Sequence, residues 1–157
     1  MTRGLSCDKP TNESRCESEL DMSLDPGDTE MRAHLLVVHE HGRRWIEALK
    51  SQLRGWPVII RHSALAADAI HLARSAGSST LLLVLSDRPV RELELLAQIR
   101  IRSLDVAVVV IAKPHQMAIE LGVRELGADA FLEESIAAVD LTRVLRCVLM
   151  ERGCKSK

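Results

Sequence analysis

The chain has 157 residues, room for one domain and a tail, and it is 46% hydrophobic but only 2% aromatic, so its core must be built from Leu, Val, Ile and Ala. Charge is divided: residues 1–30 carry eight acids against three bases, whereas residues 31–157 carry fourteen acids against eighteen bases, a net of +4. A domain of that modest charge, with no basic stripe and almost no stacking aromatics, excludes a nucleic-acid reading, and no apolar run approaches the length of a membrane span.

Residues 1–30 are polar, rich in Ser, Asp, Glu, Pro and Gly, and show neither helical nor strand period, so a disordered acidic tail is expected there. With no apolar leader segment and four cysteines (Cys7, Cys16, Cys147 and Cys154) that match no zinc-ligand spacing, the chain reads as a cytoplasmic protein with reduced thiols. The domain, residues 31–150, opens with a strand over Ala33–Val38. A helix follows over Arg43–Leu53, with Trp45, Ile46, Leu49 and Leu53 on one face and Gly55 as its stop. Val58–Ile60 is a short β-branched strand, and Ser63 is expected to cap a second helix whose apolar stripe runs from Leu65 to Ala76.

The stretch from Thr80 to Asp87 contains five consecutive aliphatic residues and no alternation. A strand with one wet face would alternate, so this one is expected to be covered on both faces, as in a parallel sheet with helices above and below. Val106–Ile111 has the same character. A third helix is expected between them over Val90–Ile101, a fourth over Gln116–Leu126 closed by Gly127, a fifth strand at Ala130–Leu132, and a last helix from Ile136 to Met150, with residues 151–157 fraying. Five strands alternating with five helices give an α/β, flavodoxin-like three-layer sandwich, with a five-stranded parallel sheet of expected order 2-1-3-4-5.

In open sheets of this kind the chemistry gathers at the carboxyl ends of the strands. No glycine-rich phosphate loop follows the first strand, so the site must come from side chains. The residues that end strands are His39-Glu40-His41, Ser86-Asp87, Ile111-Ala112-Lys113 and Glu133-Glu134. Glu40 and Asp87 are oxygen ligands of the sort magnesium takes, but two carboxylates alone predict weak binding. His39, His41, Asp87 and His115 are of the types that could gather a transition metal. Lys113 leaves from a different strand and reaches Asp87 only if its loop folds back.

Leu35-Leu36-Val37-Val38 followed by two polar residues, Leu82 to Asp87, Leu93 to Arg100, Val106 to Ala112, and Gly127-Ala128-Asp129-Ala130-Phe131-Leu132 occur in an order and spacing that resembles the receiver domain of two-component response regulators. The last of these, a glycine turn feeding a fifth strand, is the most specific. The resemblance covers Met31 to about Met150 and implies a defined chemistry. An aspartate ending the third strand would accept a phosphoryl group, two acids after the first strand would hold magnesium, and a Thr or Ser after the fourth strand and a Lys after the fifth would hold the phosphoryl oxygens.

This chain departs from that pattern at nearly every position. The acid pair falls on His39-Glu40, the hydroxyl position on Ile111 or Ala112, and the Lys-Pro position on Glu134-Ser135. The candidate phosphoacceptor is Asp87, with Ser86 competing for its place, inside a degenerate acidic pocket of His39, Glu40, Asp87 and Glu134. No cofactor, no resident metal and no catalytic activity are expected. The reading is a divergent receiver that signals by protein contact without phosphotransfer. The alternatives are a working receiver that uses Asp87, and an unrelated flavodoxin-like domain that binds a metal or ligand. The resemblance further implies a partner surface on the fourth helix, fifth strand and fifth helix. There Cys147 and Met150 widen an apolar arc, and Arg143 and Arg146 border it in a manner that suits a homodimer.

Overall fold

The structure is a computed structural model and describes residues 34–76 and 79–154; the acidic tail lies outside the described residues. Five strands form one sheet: β1 (His34–His39), β2 (Val58–Ser63), β3 (Ser79–Val84), β4 (Val106–Ala112) and β5 (Ala130–Glu133). Their order is β2-β1-β3-β4-β5 and every pairing is parallel, which is the expected 2-1-3-4-5 sheet. The helices are α1 (Ile46–Gln52), α2 (Ala66–Ser75), α3 (Val90–Ile101), α4 (Glu120–Glu125) and α5 (Ala138–Cys154).

The absence of alternation in the central strands has a direct cause. Every residue of β1, β3 and β4 is buried, because successive side chains enter two different cores. Leu35, Val37, Leu81, Leu83, Val108 and Val110 point into a core completed by Ile70, Leu95, Leu96, Ile99 and Val123 from α2, α3 and α4. Their neighbours Leu36, Val38, Leu82, Val84, Val109 and Ile111 enter the opposite core with Leu49 and Leu53, beside α1, and Leu141 and Leu145 of α5. Phe131 closes the first core, and Gly127 turns the chain into β5 at a φ of +104°, a conformation that favours glycine.

Four local expectations are corrected. The first helix does not begin at Arg43: Glu40–Trp45 is a 3-10 segment and the α-helix starts at Ile46. The tighter coil lets Gly42 lie against the ends of β1 and β3, where a Cβ would meet Val38 Cγ1 at 2.6 Å and Val84 Cγ2 at 3.3 Å. Ser63 caps no helix; it ends β2, and its hydroxyl donates to the Leu65 carbonyl. The fourth helix is split into a 3-10 segment Pro114–Ile119 and a short α4, its start fixed by Gln116 Oε1 accepting from the Lys113 N–H at 3.0 Å. The last helix starts later, at Ala138, and continues through Cys154, past the point where fraying was expected.

Candidate functional site

β3 ends in apolar core. Its last hydrogen bond across to β4 is donated by the Leu85 N–H to the Ile111 carbonyl at 2.8 Å, and the Leu85 side chain is 1% exposed. Ser86 and Asp87 therefore stand beyond the strand, and Asp87 is turned into solvent with 77% of its side chain accessible. It is not alone there. Lys113, at the end of β4, folds back so that its Nζ lies 2.5 Å from Asp87 Oδ1. That hydrogen bond, and then the ammonium charge, hold the Asp87 carboxyl below the usual carboxylate range, with smaller help from His115 and His41. A second bridge runs parallel to it: Gln116 Nε2 donates to the Ser86 carbonyl.

The other expected pocket residues separate. Glu134, at the end of β5, is held by Arg44 Nη2 at 2.6 Å, and that guanidinium also lies 5.1 Å from the Trp45 ring centre. His39 is 4% exposed beneath the rim, and its Nδ1 has no hydrogen-bond partner among the described residues. Burial lowers its pKa, opposed by the nearby carboxylates Glu40 and Glu92. Glu40 is exposed, 3.9 Å from His41 Nε2. The proposed cluster of His39, Glu40, Asp87 and Glu134 is thus three separate arrangements: a buried histidine beside Glu40, Asp87 on Lys113, and Glu134 on Arg44.

A residue that the sequence reading passed over is the most unusual group of this end. Glu92, in the first turn of α3, is 3% exposed. Its Oε1 accepts from the Ser86 N–H at 3.3 Å and lies 3.6 Å from His41 Nε2, while its Oε2 has no hydrogen-bond partner among the described residues. The signal was present in the sequence: Glu92, Leu95, Leu96 and Ile99 share the buried stripe of α3, at spacings of three and four. A hollow of about 600 Å³ opens over this corner, lined among others by Glu40, His41, Ser86, Arg88, Glu92 and Glu94.

The magnesium that the resemblance implies finds no fitting set here. Asp87 is engaged by an ammonium, the first-strand position offers a buried imidazole, and no three His, Cys, Asp or Glu residues converge as a metal site among the described residues. Among the described residues the set of His39, His41, Asp87 and His115 likewise does not converge as a metal site.

On the α4-β5-α5 side, Cys147 is exposed and Met150 is 62% exposed, as the widened arc requires. Arg146 is not a free border charge. It donates to the Gln52 carbonyl at 2.7 Å and lies 5.0 Å from the Trp56 ring centre, so it fastens α5 to the end of α1. Arg143 is held by Asp140 at 3.2 Å.

Comparison with solved structures decides the fold. The chain superposes on the signal receiver domain of a protein described as a Luxo repressor from Vibrio parahaemolyticus with a TM-score of 0.67 at 20% identity, covering 80% of this chain and 95% of that one. This is the receiver fold. The receiver domain of the TMAO respiratory response regulator TorR gives a TM-score of 0.65 at 18% identity, over 76% of this chain and 98% of that one. A CheY-like response regulator receiver domain protein from Methanospirillum hungatei gives 0.63 at 14% identity, over 78% and 98%. No protein-family model and no curated protein sequence matches the chain. The receiver fold is therefore shared at identities where residue-level chemistry has to be argued from this chain alone. Among the described residues no helix is long and apolar enough to cross a membrane.

Proposed function

We propose that this chain is a divergent receiver domain that signals through protein contact and does not transfer phosphate. The observation that carries the reading is the end of β3. The chain leaves β3 through buried Leu85, and the aspartate that follows, Asp87, stands outside the strand, bound to Lys113. A transferring phosphoryl group needs cations aimed at its oxygens. The fifth-strand position that supplies one in the family is Glu134 here, paired with Arg44, and Glu92 and Glu40 add negative charge to the same end. Lys113 takes up Asp87, the candidate acceptor, and with Gln116 it ties the end of β3 to the segment after β4. Function then rests on the surfaces of a receiver scaffold held in one arrangement. No enzymatic role is assigned.

The working-receiver reading gains one specific observation, the Lys113 ammonium on Asp87. A cation beside a carboxylate could also stabilise an acyl phosphate formed there. Incubation of the full chain with a small phosphodonor and magnesium, read by intact mass, separates the two. No gain of a phosphoryl group is expected. A hydroxylamine-labile phosphoryl adduct that disappears in Asp87→Asn would overturn the contact-only reading and establish the alternative.

A further inference from the structure

The free charge of this molecule is sorted along its sheet. Residues 34–102 hold ten Lys and Arg against six Asp and Glu; residues 103–157 hold seven against eight, with three of the seven after Glu151. The strand order places β2, β1 and β3 with the first group and β4 and β5 with the second, so β2 and β5, the two outer strands, carry opposite character. Side-chain pairing sharpens the division. Lys113, Arg124 and Arg143 are each held by a carboxylate and Arg146 by a carbonyl. On the other side, the side chains of Arg43, Arg54 and Arg61 have no partner among the described residues. Glu125 and Glu151 are the counterpart: exposed acids of α4 and α5 whose side chains have none either.

Each edge also offers apolar surface. On β2, Ile59 is 45% exposed, and a hollow of about 570 Å³ beside α1 has Ile46 and Ile60 within a rim of Arg43, His62 and the paired Lys50 and Glu47. Beside β5, a hollow of about 380 Å³ is lined by Ala130, Val144, Cys147 and Val148, with Asp129, Glu151 and the Asp140-paired Arg143 at its rim. Among the described residues β2 pairs only with β1, and β5 only with β4, all in the same direction. A copy displaced along the sheet therefore brings its acidic edge to the basic edge of its neighbour with strands still parallel. A two-fold contact through either edge would instead pair that edge with itself.

We propose that this chain associates with a second copy of itself head to tail, the basic β2–α1 edge of one copy against the acidic α4-β5-α5 edge of the next. The contact is heterologous, so it extends into an open series unless its rotation closes a ring. It is steered by charge and screened by salt. This names a partner for the contact-signalling reading and rests on it; the phosphodonor assay tests that reading separately, so each fails on its own measurement.

Sedimentation velocity of the full chain tests the contact. At low ionic strength the weight-average sedimentation coefficient should rise with concentration, and it should fall back at about 0.15 M salt, where the Debye length is about 8 Å. One variant carries Arg43→Glu and Arg61→Glu, the other Glu125→Lys and Glu151→Lys; all four side chains are exposed, and circular dichroism checks that both variants fold. Each alone should be monomeric. Their equimolar mixture should associate again, in alternating order, because the acidic edges of the first variant match the basic edges of the second at both ends. A wild type monomeric at low salt, a mixture that stays monomeric, or a variant that self-associates like the wild type would overturn the proposal.

Discussion

β1 carries a buried histidine at each end, and the two ends are finished differently. His34, at the amino end, bonds through Nε2 to the Thr80 hydroxyl at 2.9 Å, across to a fully buried position on β3. His39, at the carboxyl end, is more deeply buried and leaves Nδ1 unpaired, near a Glu92 whose Oε2 is unpaired too. The amino end is closed as structure, with its polar groups matched inside the sheet. The carboxyl end keeps buried polar atoms that nothing described satisfies, and such atoms carry a desolvation cost. In an α/β sheet that is the end where function is built, and here the cost persists even though the charged residues above it have turned to one another.

The largest effect expected from breaking this contrast comes at Leu85. Leu85→Asp places a carboxylate where the side chain is 1% exposed, inside an apolar core. A loss of roughly 4 kcal/mol or more is expected, read as a collapse of the urea midpoint. Next is His34→Leu, which strands the Thr80 hydroxyl and should cost about 1–3 kcal/mol. Gly42→Ala should cost a similar 1–3 kcal/mol, since its Cβ would meet Val38 Cγ1 at 2.6 Å and the stiff valine has to move.

His39→Leu should be far milder than His34→Leu at pH 8, within about 1 kcal/mol, because no hydrogen bond to Nδ1 is lost. Its signature lies in acid. Burial lowers the folded-state pKa of His39, so as pH falls below about 6.5 the unfolded chain binds its proton first and the wild type loses stability. The variant should lose that part of the slope; an unchanged slope would place the titration elsewhere. The smallest effect is Lys113→Met. Thermal unfolding should not register it, since Asp87 is exposed, but the Asp87 carboxyl should titrate at higher pH by NMR once the amine is gone.

The sheet was legible because its physics is local. Six buried residues in β3 and seven in β4 leave no polar alternation, and that pattern is visible in any window of the chain. The glycine before β5 was legible for the same reason: its positive φ is a demand on one residue. The site was less so, because its geometry depends on where loops lie. Whether Ser86 or Asp87 ended β3 could not be read from a run of leucines; the answer came from the hydrogen bond of Leu85 to Ile111. That Lys113 folds back to Asp87 depends on Gln116 gripping both its own turn and the Ser86 carbonyl, a contact across thirty residues. Glu92 is the exception, since its place on the apolar stripe of α3 was there to be read. Arg146 was misplaced for a related reason: helical spacing locates it on α5, but only the position of α1 reveals that it faces Gln52 and Trp56.

The two tryptophans bracket α1, Trp45 just before it and Trp56 beyond its end, each with an arginine about 5 Å from the ring centre, and the chain has no tyrosine. Its intrinsic fluorescence is therefore a local probe. Emission will report whether α1 sits on α5 with Arg146 over Trp56, and through Trp45 it will also sense the core shared with Val84 at the end of β3. A shift in emission without a change in circular dichroism would mean that this one corner had opened while the sheet stayed whole, and unfolding curves from the two spectroscopies need not coincide.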